Sequence, residues 1–379
     1  MFSTQFFEGE RIHLAAIEPE PDAPIIAEWY DDRCFAHQVT RGPGRPLAIP
    51  QIRAQLTRED TESREKRRRF DFAIRTRDDD RLIGLVGLRE ILWNHGEAQL
   101  WLAIGSPADR GQGHGAEALR LILRYAYVEL NLYRVWLDLG ADNPDAVRFF
   151  VRHGFVPEVR RREALEHAGR RFDVLRLSLL QEEWRGQPVP PVEEPREPVA
   201  AVARPARPRI RLAAFDSVAG AEAERRWWND SEFGHFQDYE IWRPRSRQHA
   251  EEEVREGMEI DPGGFSFHLR LVDDDRLIGF LGLWVNWPNR EAWLGIGIGE
   301  RDCWGKGYGT EAVQLATAFA FDELNLHRVS LDVLAANPRG LRAYQKAGFV
   351  IEGRIRRRNN YGGERIDDIS MGLLRKEVG

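Results

Sequence analysis

The stretch from Trp304 to Ala312, WGKGYGTEA, has three glycines at alternate positions between a predicted strand and a predicted helix. Apolar residues at 293–298 predict the strand, and the pattern at 312–319 predicts the helix. The first N–H groups of a helix have no partner within it, and the helix dipole favours negative charge there. Because glycine also lets a ligand approach the backbone closely, the stretch predicts a site for phosphate oxygens.

The glycine spacing excludes two common nucleotide-binding motifs. A P-loop requires G-x-x-x-x-G-K-[ST], and a dinucleotide fingerprint requires G-x-G-x-x-G in a first βαβ unit. The spacing here is G-x-G-x-G, well inside the second half of the chain. A glycine-rich turn that binds nothing is the alternative for an isolated match.

The match is not isolated, because the chain contains the same pattern twice. Residues 110–118, RGQGHGAEA, repeat it at an offset of 194 residues (304 minus 110). The segment DRLIG at 80–84 returns at 275–279. Solenoid repeats have periods of about 20–50 residues, so an offset this long predicts a duplicated whole domain.

Each half resembles an N-acetyltransferase of the GNAT family, in particular the subfamily that acetylates ribosomal-protein N-termini. The family's cofactor turn, R/Q-x-x-G-x-G/A, is met in full by residues 110–115, whereas Trp304 takes the Arg/Gln place in the second copy. The family's next signature is an Asn, a Tyr seven residues later and then Gly-Phe. Asn337, Tyr344 and Gly348-Phe349 supply it. The resemblance covers nearly all of both halves.

The order of the predicted elements, hairpins first and βαβ-like units later, favours an α/β fold of the mixed α+β type. We expect two tandem GNAT-like domains, each with a mixed, mostly antiparallel central sheet flanked by helices. The expected domains are residues 1–185 and 209–379. The proline-rich residues 186–208 predict an extended, semi-rigid linker between them.

The resemblance implies acetyl-CoA as the cofactor and indicates which residues hold it. The backbone of Ile296 and Ile298 would pair with the pantetheine as with an added strand. A backbone N–H near Gly297 or Ile298 would stabilise the oxyanion. The residues expected at the cofactor in the second copy are Ile296, Gly297, Ile298, Trp304, Gly305, Lys306, Gly307, Tyr308, Gly309, Thr310 and Asn337. Those expected in the first copy are Arg110, Gly111, Gln112, Gly113, His114 and Gly115.

Two side chains of the second copy are candidates for catalysis. Tyr344 takes the family's general-acid position and would protonate the leaving thiolate, although an aromatic packed on an apolar helix face is the alternative. Glu291 opens the strand opposite the acetyl group, where relatives carry a carboxylate base, and a solvated Glu at a strand edge is its alternative. Asn337 would contact the cofactor, cap its helix, or do both.

The first copy departs from this pattern at Phe150, which corresponds to Tyr344. Phenylalanine has no proton to give. Glu97 matches Glu291 and the glycine turn is intact, so cofactor binding can persist there without efficient transfer. His153 and Tyr133 are further candidates for an acid. We therefore expect the chemistry mainly in the second copy and a catalytically degenerate first copy.

The predicted function is an acetyl-CoA-dependent N-acetyltransferase, in which a primary amine attacks the thioester directly in a ternary complex. The acceptor would be a protein N-terminus or a small molecule such as a polyamine or an aminoglycoside. A non-catalytic acyl-CoA-binding sensor or regulatory protein is the alternative.

Composition limits the possible partners and location. A net charge of −6 gives no general affinity for polyanions, so nucleic acid is not an expected partner. Cys34 and Cys303 are too few for a disulfide framework. No apolar run reaches the ~20 residues of a membrane span, no signal peptide is evident, and the histidines lack metal-ligand spacing. We expect a cytoplasmic monomer or homodimer with no membrane partner and no metal.

Overall fold

The computed structural model describes the chain in two compact units. The described residues are 6–32, 35, 45–66, 68–187, 207–215, 217–237, 246, 248 and 264–378. The first unit comprises Met1–Leu139, Pro144–Pro157 and Arg176–Pro190, and the second comprises Gly140–Asn143, Glu158–Leu175 and Pro191–Gly379. Most of the predicted linker, residues 188–206, and Cys34 lie outside the described residues. The boundaries at 185 and 208 therefore remain predictions.

The elements of the first repeat follow the predicted order. Its strands are β1 (Ile12–Ala15), β2 (Phe70–Thr76), β3 (Leu82–Leu92), β4 (Glu97–Ile104), β5 (Arg134–Gly140), β6 (Val156–His167) and β7 (Arg170–Leu180). Its helices are α1 (Pro19–Trp29), α2 (Ile49–Lys66), α3 (His114–Arg124), α4 (Pro144–Arg152) and the one-turn α5 (Gln181–Trp184). Strands β1 to β4 are antiparallel neighbours, and β4 pairs in parallel with β5.

The second repeat has the same order. Its strands are β8 (Ile210–Ala214), β9 (Gly264–Leu271), β10 (Leu277–Asn286), β11 (Glu291–Ile298), β12 (Arg328–Leu334), β13 (Val350–Tyr361) and β14 (Glu364–Leu374). Its helices are α6 (Ser217–Trp228), α7 (Ser231–Gln237), α8 (Tyr308–Ala318) and α9 (Pro338–Lys346). Parallel pairing of β11 with β12 in an otherwise antiparallel sheet, together with the flanking helices, confirms the predicted fold.

Packing of alternate strand residues against helix α8 builds the core of the second unit. Ile278, Leu281, Leu294 and Val329 from the sheet cluster with Val313 from α8, and all five are buried. Each such side chain removed from water contributes about 1.5–3 kcal/mol of transfer free energy. This packing fixes α8, and with it the glycine turn, against the end of β11.

The two parallel strands of this sheet pair over a short distance and then diverge. Residues Glu291–Trp293 of β11 pair with Arg328–Ser330 of β12. Beyond Ser330, β12 continues its pairing with β14 on the opposite side as far as Leu334. In the described residues, β11 after Trp293 thus has an edge that no neighbouring strand covers.

A buried ionic cluster holds the paired end of β11 and β12. Arg328 is 0% exposed, and its Nε donates to Glu291 Oε1 at 3.1 Å and to Ser330 Oγ at 2.8 Å. Its Nη1 donates to Glu352 Oε1 at 2.9 Å and to the carbonyl oxygen of Arg162 at 2.9 Å. Burial opposes the charged guanidinium, but Glu352 and Glu291 outweigh it and raise the pKa of Arg328.

Replacing Arg328 tests this cluster. Arg328→Met leaves the Glu291 and Glu352 carboxylates buried without their cation, so we expect a loss of about 3–5 kcal/mol in the free energy of unfolding of the second unit. Denaturant melts followed by tryptophan fluorescence measure it. Arg225→Met, which removes a partner from the Glu222 pair on the surface of α6, serves as the control and should leave the midpoint unchanged. An unchanged midpoint for Arg328→Met would contradict the assignment.

Candidate active site

The glycine turn of the second copy is held open by backbone conformation. Gly305 and Gly307 have φ values of 72° and 89°, a region that favours glycine, and α8 begins directly after them. Glu311 in the first turn of α8 accepts the backbone N–H of Ile210 at 3.1 Å. Arg209 Nη1 donates to the carbonyl oxygen of Lys306 at 3.2 Å. The first N–H groups of α8 are therefore fixed in place without intrahelical acceptors.

Trp304 connects this turn to the uncovered edge of β11. Its indole Nε1 donates to the carbonyl oxygen of Ile298 at 2.7 Å, and Gln237 Nε2 donates to the carbonyl oxygen of Ile296 at 3.1 Å. Both carbonyls thus face away from β10. By the alternation of a strand, the N–H and C=O of Gly297 face β10 instead. Of the two backbone N–H groups predicted to stabilise the oxyanion, only that of Ile298 points into the gap between β11 and β12.

A cavity of about 300 Å³ lies between the glycine turn, the end of β11 and α9. Of the residues predicted to hold the cofactor in the second copy, all except Gly297 and Lys306 line it, and Tyr344 lines it too. Asn337 also caps α9, because its side-chain oxygen accepts the backbone N–H of Gly340 at 2.9 Å. Asn337 thus caps its helix and lines the cavity, and its contact with the cofactor stays a prediction.

The lining of this cavity suits an extended ligand with phosphate groups. The helix N-terminus offers N–H groups to an anion, and the uncovered edge of β11 offers a peptide-like partner. Arg342 and Lys346, one turn apart on α9, line the same cavity. Both are exposed, and neither has a hydrogen bond or ion pair within the part of the chain that the structure describes. These features fit the pantetheine and phosphates of coenzyme A.

Tyr344 lies between this cavity and a second, smaller one. The smaller cavity has a volume of about 60 Å³ and shares Tyr344, Asn337 and Ile296 with the larger. Burial raises the pKa of the Tyr344 phenol to about 12. The hydroxyl therefore keeps its proton at neutral pH, as a proton donor must.

Asp332 in the smaller cavity was not predicted from the sequence. Its side chain is 8% exposed, and its Oδ2 accepts Arg358 Nη1 at 3.0 Å. Its Oδ1 is buried and has no hydrogen-bond partner among the described residues. A carboxylate in the middle of the apolar strand VSLDVL was the available signal, since Asp is rarely buried without a reason.

Glu291, the predicted base, lines neither cavity. It is 3% exposed, and Oε1 alone accepts Arg328 Nε, Ser330 Oγ at 2.6 Å and Arg161 Nη1 at 3.4 Å. The structure thus places Glu291 in the ionic cluster at the paired end of β11, away from the chemistry predicted for it.

The first copy repeats the turn closely. Gly111 and Gly113 have φ values of 73° and 86°, and α3 begins at His114. Arg110 Nε donates to the carbonyl oxygen of Ile104 at 3.1 Å, the same connection that Trp304 makes to Ile298. Phe150 is 6% exposed, and its ring contacts Phe155. The glycine turn is therefore retained in the first copy without the tyrosine.

The comparison with protein families agrees with this geometry. The model of the acetyltransferase (GNAT) domain matches the chain twice, at residues 11–156 and 209–350. The chain belongs to the GNAT acetyltransferase family. Since enzymes of this family take an acetyl group from acetyl-CoA, membership confirms the predicted enzyme class, an N-acetyltransferase, and the predicted cofactor. It also confirms the tandem arrangement.

Individual relatives are N-acetyltransferases. A spermidine N(1)-acetyltransferase from Vibrio cholerae is 35% identical over 103 residues, which are 27% of this chain and 59% of the relative. The chain therefore matches less than two thirds of that protein's length. The probable N-acetyltransferase YjcK from Bacillus subtilis is 34% identical over 124 residues, 32% of this chain and 67% of the relative. The predicted relation to the ribosomal-protein subfamily is not reproduced among these relatives.

Similarity to solved structures is weaker. A spermidine N-acetyltransferase from Vibrio cholerae in complex with CoA and spermine is 25% identical, and the alignment covers 46% of this chain and 98% of that chain. The TM-score is 0.40, a value at which the overlay supports no conclusion about the site.

Two further observations concern membranes and metals. None of the helices within the described residues combines the length and the apolar character needed to cross a bilayer. Over the same residues, no group of three or more His, Cys, Asp or Glu side chains could hold a metal ion.

Proposed function

We propose that the second copy is the catalytic site of an acetyl-CoA-dependent N-acetyltransferase acting on small primary amines of the polyamine class. The observation that carries the proposal is the position of Tyr344 between two cavities. One is lined by the glycine turn, and the other is lined by Asp332, whose Oδ1 is buried and has no hydrogen-bond partner among the described residues. A phenol that can donate a proton and a carboxylate that can accept one thus line the same smaller cavity, and the phenol also lines the larger one.

Each residue of this site has a separate role in acetyl transfer. Acetyl-CoA, when bound, supplies an activated acetyl thioester. The first N–H groups of α8 bind the pyrophosphate, and the N–H of Ile298 stabilises negative charge that develops on the acetyl carbonyl oxygen. Asp332 Oδ1 holds the acceptor's ammonium group and takes a proton from it, which frees the nitrogen lone pair for attack. Tyr344 would give its proton to the departing thiolate sulfur, and the second proton that the nitrogen loses on amide formation would return to the Tyr344 oxygen.

Two features support a polyamine as the acceptor. A cavity of about 60 Å³ admits the end of an unbranched alkylamine, and a buried carboxylate oxygen favours a cation. The Vibrio cholerae relative is named for a polyamine, spermidine. A protein N-terminus, which the sequence also allowed, is the competing acceptor, and a peptide with a free amino terminus tests it beside spermidine.

The second candidate function is a non-catalytic acyl-CoA sensor. Phe150 favours it for the first copy, where no phenol can protonate a thiolate. Tyr344, with its raised pKa, argues against it for the second copy. Multiple turnovers with spermidine separate the two functions, because a sensor binds acetyl-CoA without releasing the thiol.

Replacing Tyr344 tests its role as the acid. We expect Tyr344→Phe to lower kcat by about 10²–10⁴-fold with spermidine as the acceptor, because the ring is retained and only the proton donor is lost. The Kd for acetyl-CoA should change little. Tyr361→Phe, which removes a hydroxyl from the smaller cavity alone, is the matched control. An unaltered kcat in Tyr344→Phe would contradict the proposal.

Replacing Asp332 tests the acceptor side. Asp332→Asn keeps the shape of the side chain and removes its charge, so we expect KM for spermidine to rise about 10- to 100-fold and kcat to fall. Affinity for acetyl-CoA, measured by calorimetry, should stay the same. Glu364→Gln, an exposed change at the first residue of β14, is the control. If Asp332→Asn keeps the wild-type KM and kcat, a group other than Asp332 binds and deprotonates the amine.

A further inference from the structure

The two copies differ in one contact at the start of the helix that follows the glycine turn. Gly309 in α8 corresponds to Gly115 in α3. A Cβ built on Gly309 would meet a single atom within 4 Å, Cγ1 of Ile298 at 3.9 Å. The nearest helix residue across this space is Ala343, which lines the cavity of the second copy and whose carbonyl oxygen accepts Thr310 Oγ1 at 3.4 Å.

In the first copy a phenyl ring enters the same space. Phe149 corresponds to Ala343, and its Cζ lies 3.9 Å from the position of a Cβ on Gly115. Cδ2 of Leu102 and Cγ1 of Ile104 lie 3.7 and 3.8 Å from that position. These two residues correspond to Ile296 and Ile298. The tip of the ring thus lies beside Gly115 at the helix N-terminus, in the space that side chains of β4 also border.

The ring of Phe149 is fixed by its neighbours. It packs edge-on against Phe150, with 5.0 Å between the ring centroids, and lies 4.5 Å from the centroid of the His153 ring. His153 Nδ1 is in turn 2.7 Å from the carbonyl oxygen of Phe149. Displacing the ring would break its contacts with both Phe150 and His153.

The charges along the helix also differ between the copies. In the second copy, α9 presents Arg339, Arg342 and Lys346 to the cavity. The counterpart of Arg339 in α4 is Asp145, whose carboxylate forms an ion pair with Arg148, the counterpart of Arg342. Arg339 itself pairs with Glu232 Oε1 at 3.0 Å, and Arg152 keeps a cation at the place of Lys346. The copies thus differ by an anion at the place of Arg339 and by the pairing of Arg148, and both changes weaken attraction for phosphate groups.

We propose that the Phe149 side chain closes the acetyl-CoA groove of the first copy, so that each chain binds one acetyl-CoA, in the second copy. This inference rests on the proposed cofactor site of the second copy. The glycine turn of the first copy keeps its conformation, but the pantetheine path between Gly115 and the edge of β4 is filled. Removing the ring reopens that path and creates a second binding site.

Native mass spectrometry of the full chain with saturating acetyl-CoA tests the proposal by counting cofactors. We expect one for the wild type, two for Phe149→Ala and none for Ala343→Phe, which places the ring in the second copy. Val151→Ala, an exposed change on the same helix as Phe149, is the control and should bind one. Calorimetry on the same variants gives the two affinities.

The outcomes separate this inference from the proposed function. Two acetyl-CoA molecules bound to the wild type would show that Phe149 does not close the first copy. One molecule bound to a Phe149→Ala variant with native circular dichroism would show the same. Neither result would contradict the proposed cofactor site of the second copy. If Phe149→Ala does not fold, the number of acetyl-CoA molecules bound by the wild type and the loss of binding in Ala343→Phe still test the inference. No cofactor on the wild type would overturn the proposed function, and the inference with it.

Discussion

The divergence of two parallel strands is the constraint on which the second unit's site depends. Strands β11 and β12 pair over three residues and then separate, so the far end of β11 keeps a row of backbone groups that no strand satisfies. In the folded chain, side chains cover this edge in part, since Gln237 and Trp304 donate to the carbonyls of Ile296 and Ile298. An amide-containing ligand that enters the gap can exchange with these donors at small net cost, because hydrogen bonds are replaced rather than lost.

The ionic cluster holds β11 and β12 together at their paired end. Arg328 joins Glu291 on β11 to Glu352 on β13, and Arg162 donates to Glu352 as well, at 2.7 Å from Nε. Arg162 belongs to the first repeat in sequence but to the second compact unit in space. The second repeat therefore completes its own charge cluster with residues 158–175, and the family resemblance of residues 209–379 alone did not indicate this.

Local signals predicted the parts of the site that depend on local backbone. The alternating glycines require positive φ at Gly305 and Gly307, and Asn337 precedes a Pro at a helix start, so both features could be located from the sequence. Tyr344 was identified by the family resemblance, in whose signature a Tyr follows the Asn by seven residues, and not by local signals. Asp332, the position of Glu291 in a buried cluster and the ring of Phe149 depend on contacts between segments far apart in the chain, which a single sequence does not reveal. The sequence of the glycine turn in the first copy predicted cofactor binding, because the residue that fills the groove lies on another helix and is not part of the motif.

Hydrogen exchange of the backbone amides, with and without acetyl-CoA, tests most directly the claim that the diverging strands of the second copy form the binding site. The account predicts slower exchange in peptides covering residues 294–298 and 305–310, because the ligand pairs with the edge of β11 and with the N–H groups at the start of α8. Peptides covering residues 100–104 and 111–116, the counterparts in the first copy, should exchange as before. Protection of the first-copy peptides, or unchanged exchange in those of the second copy, would contradict it.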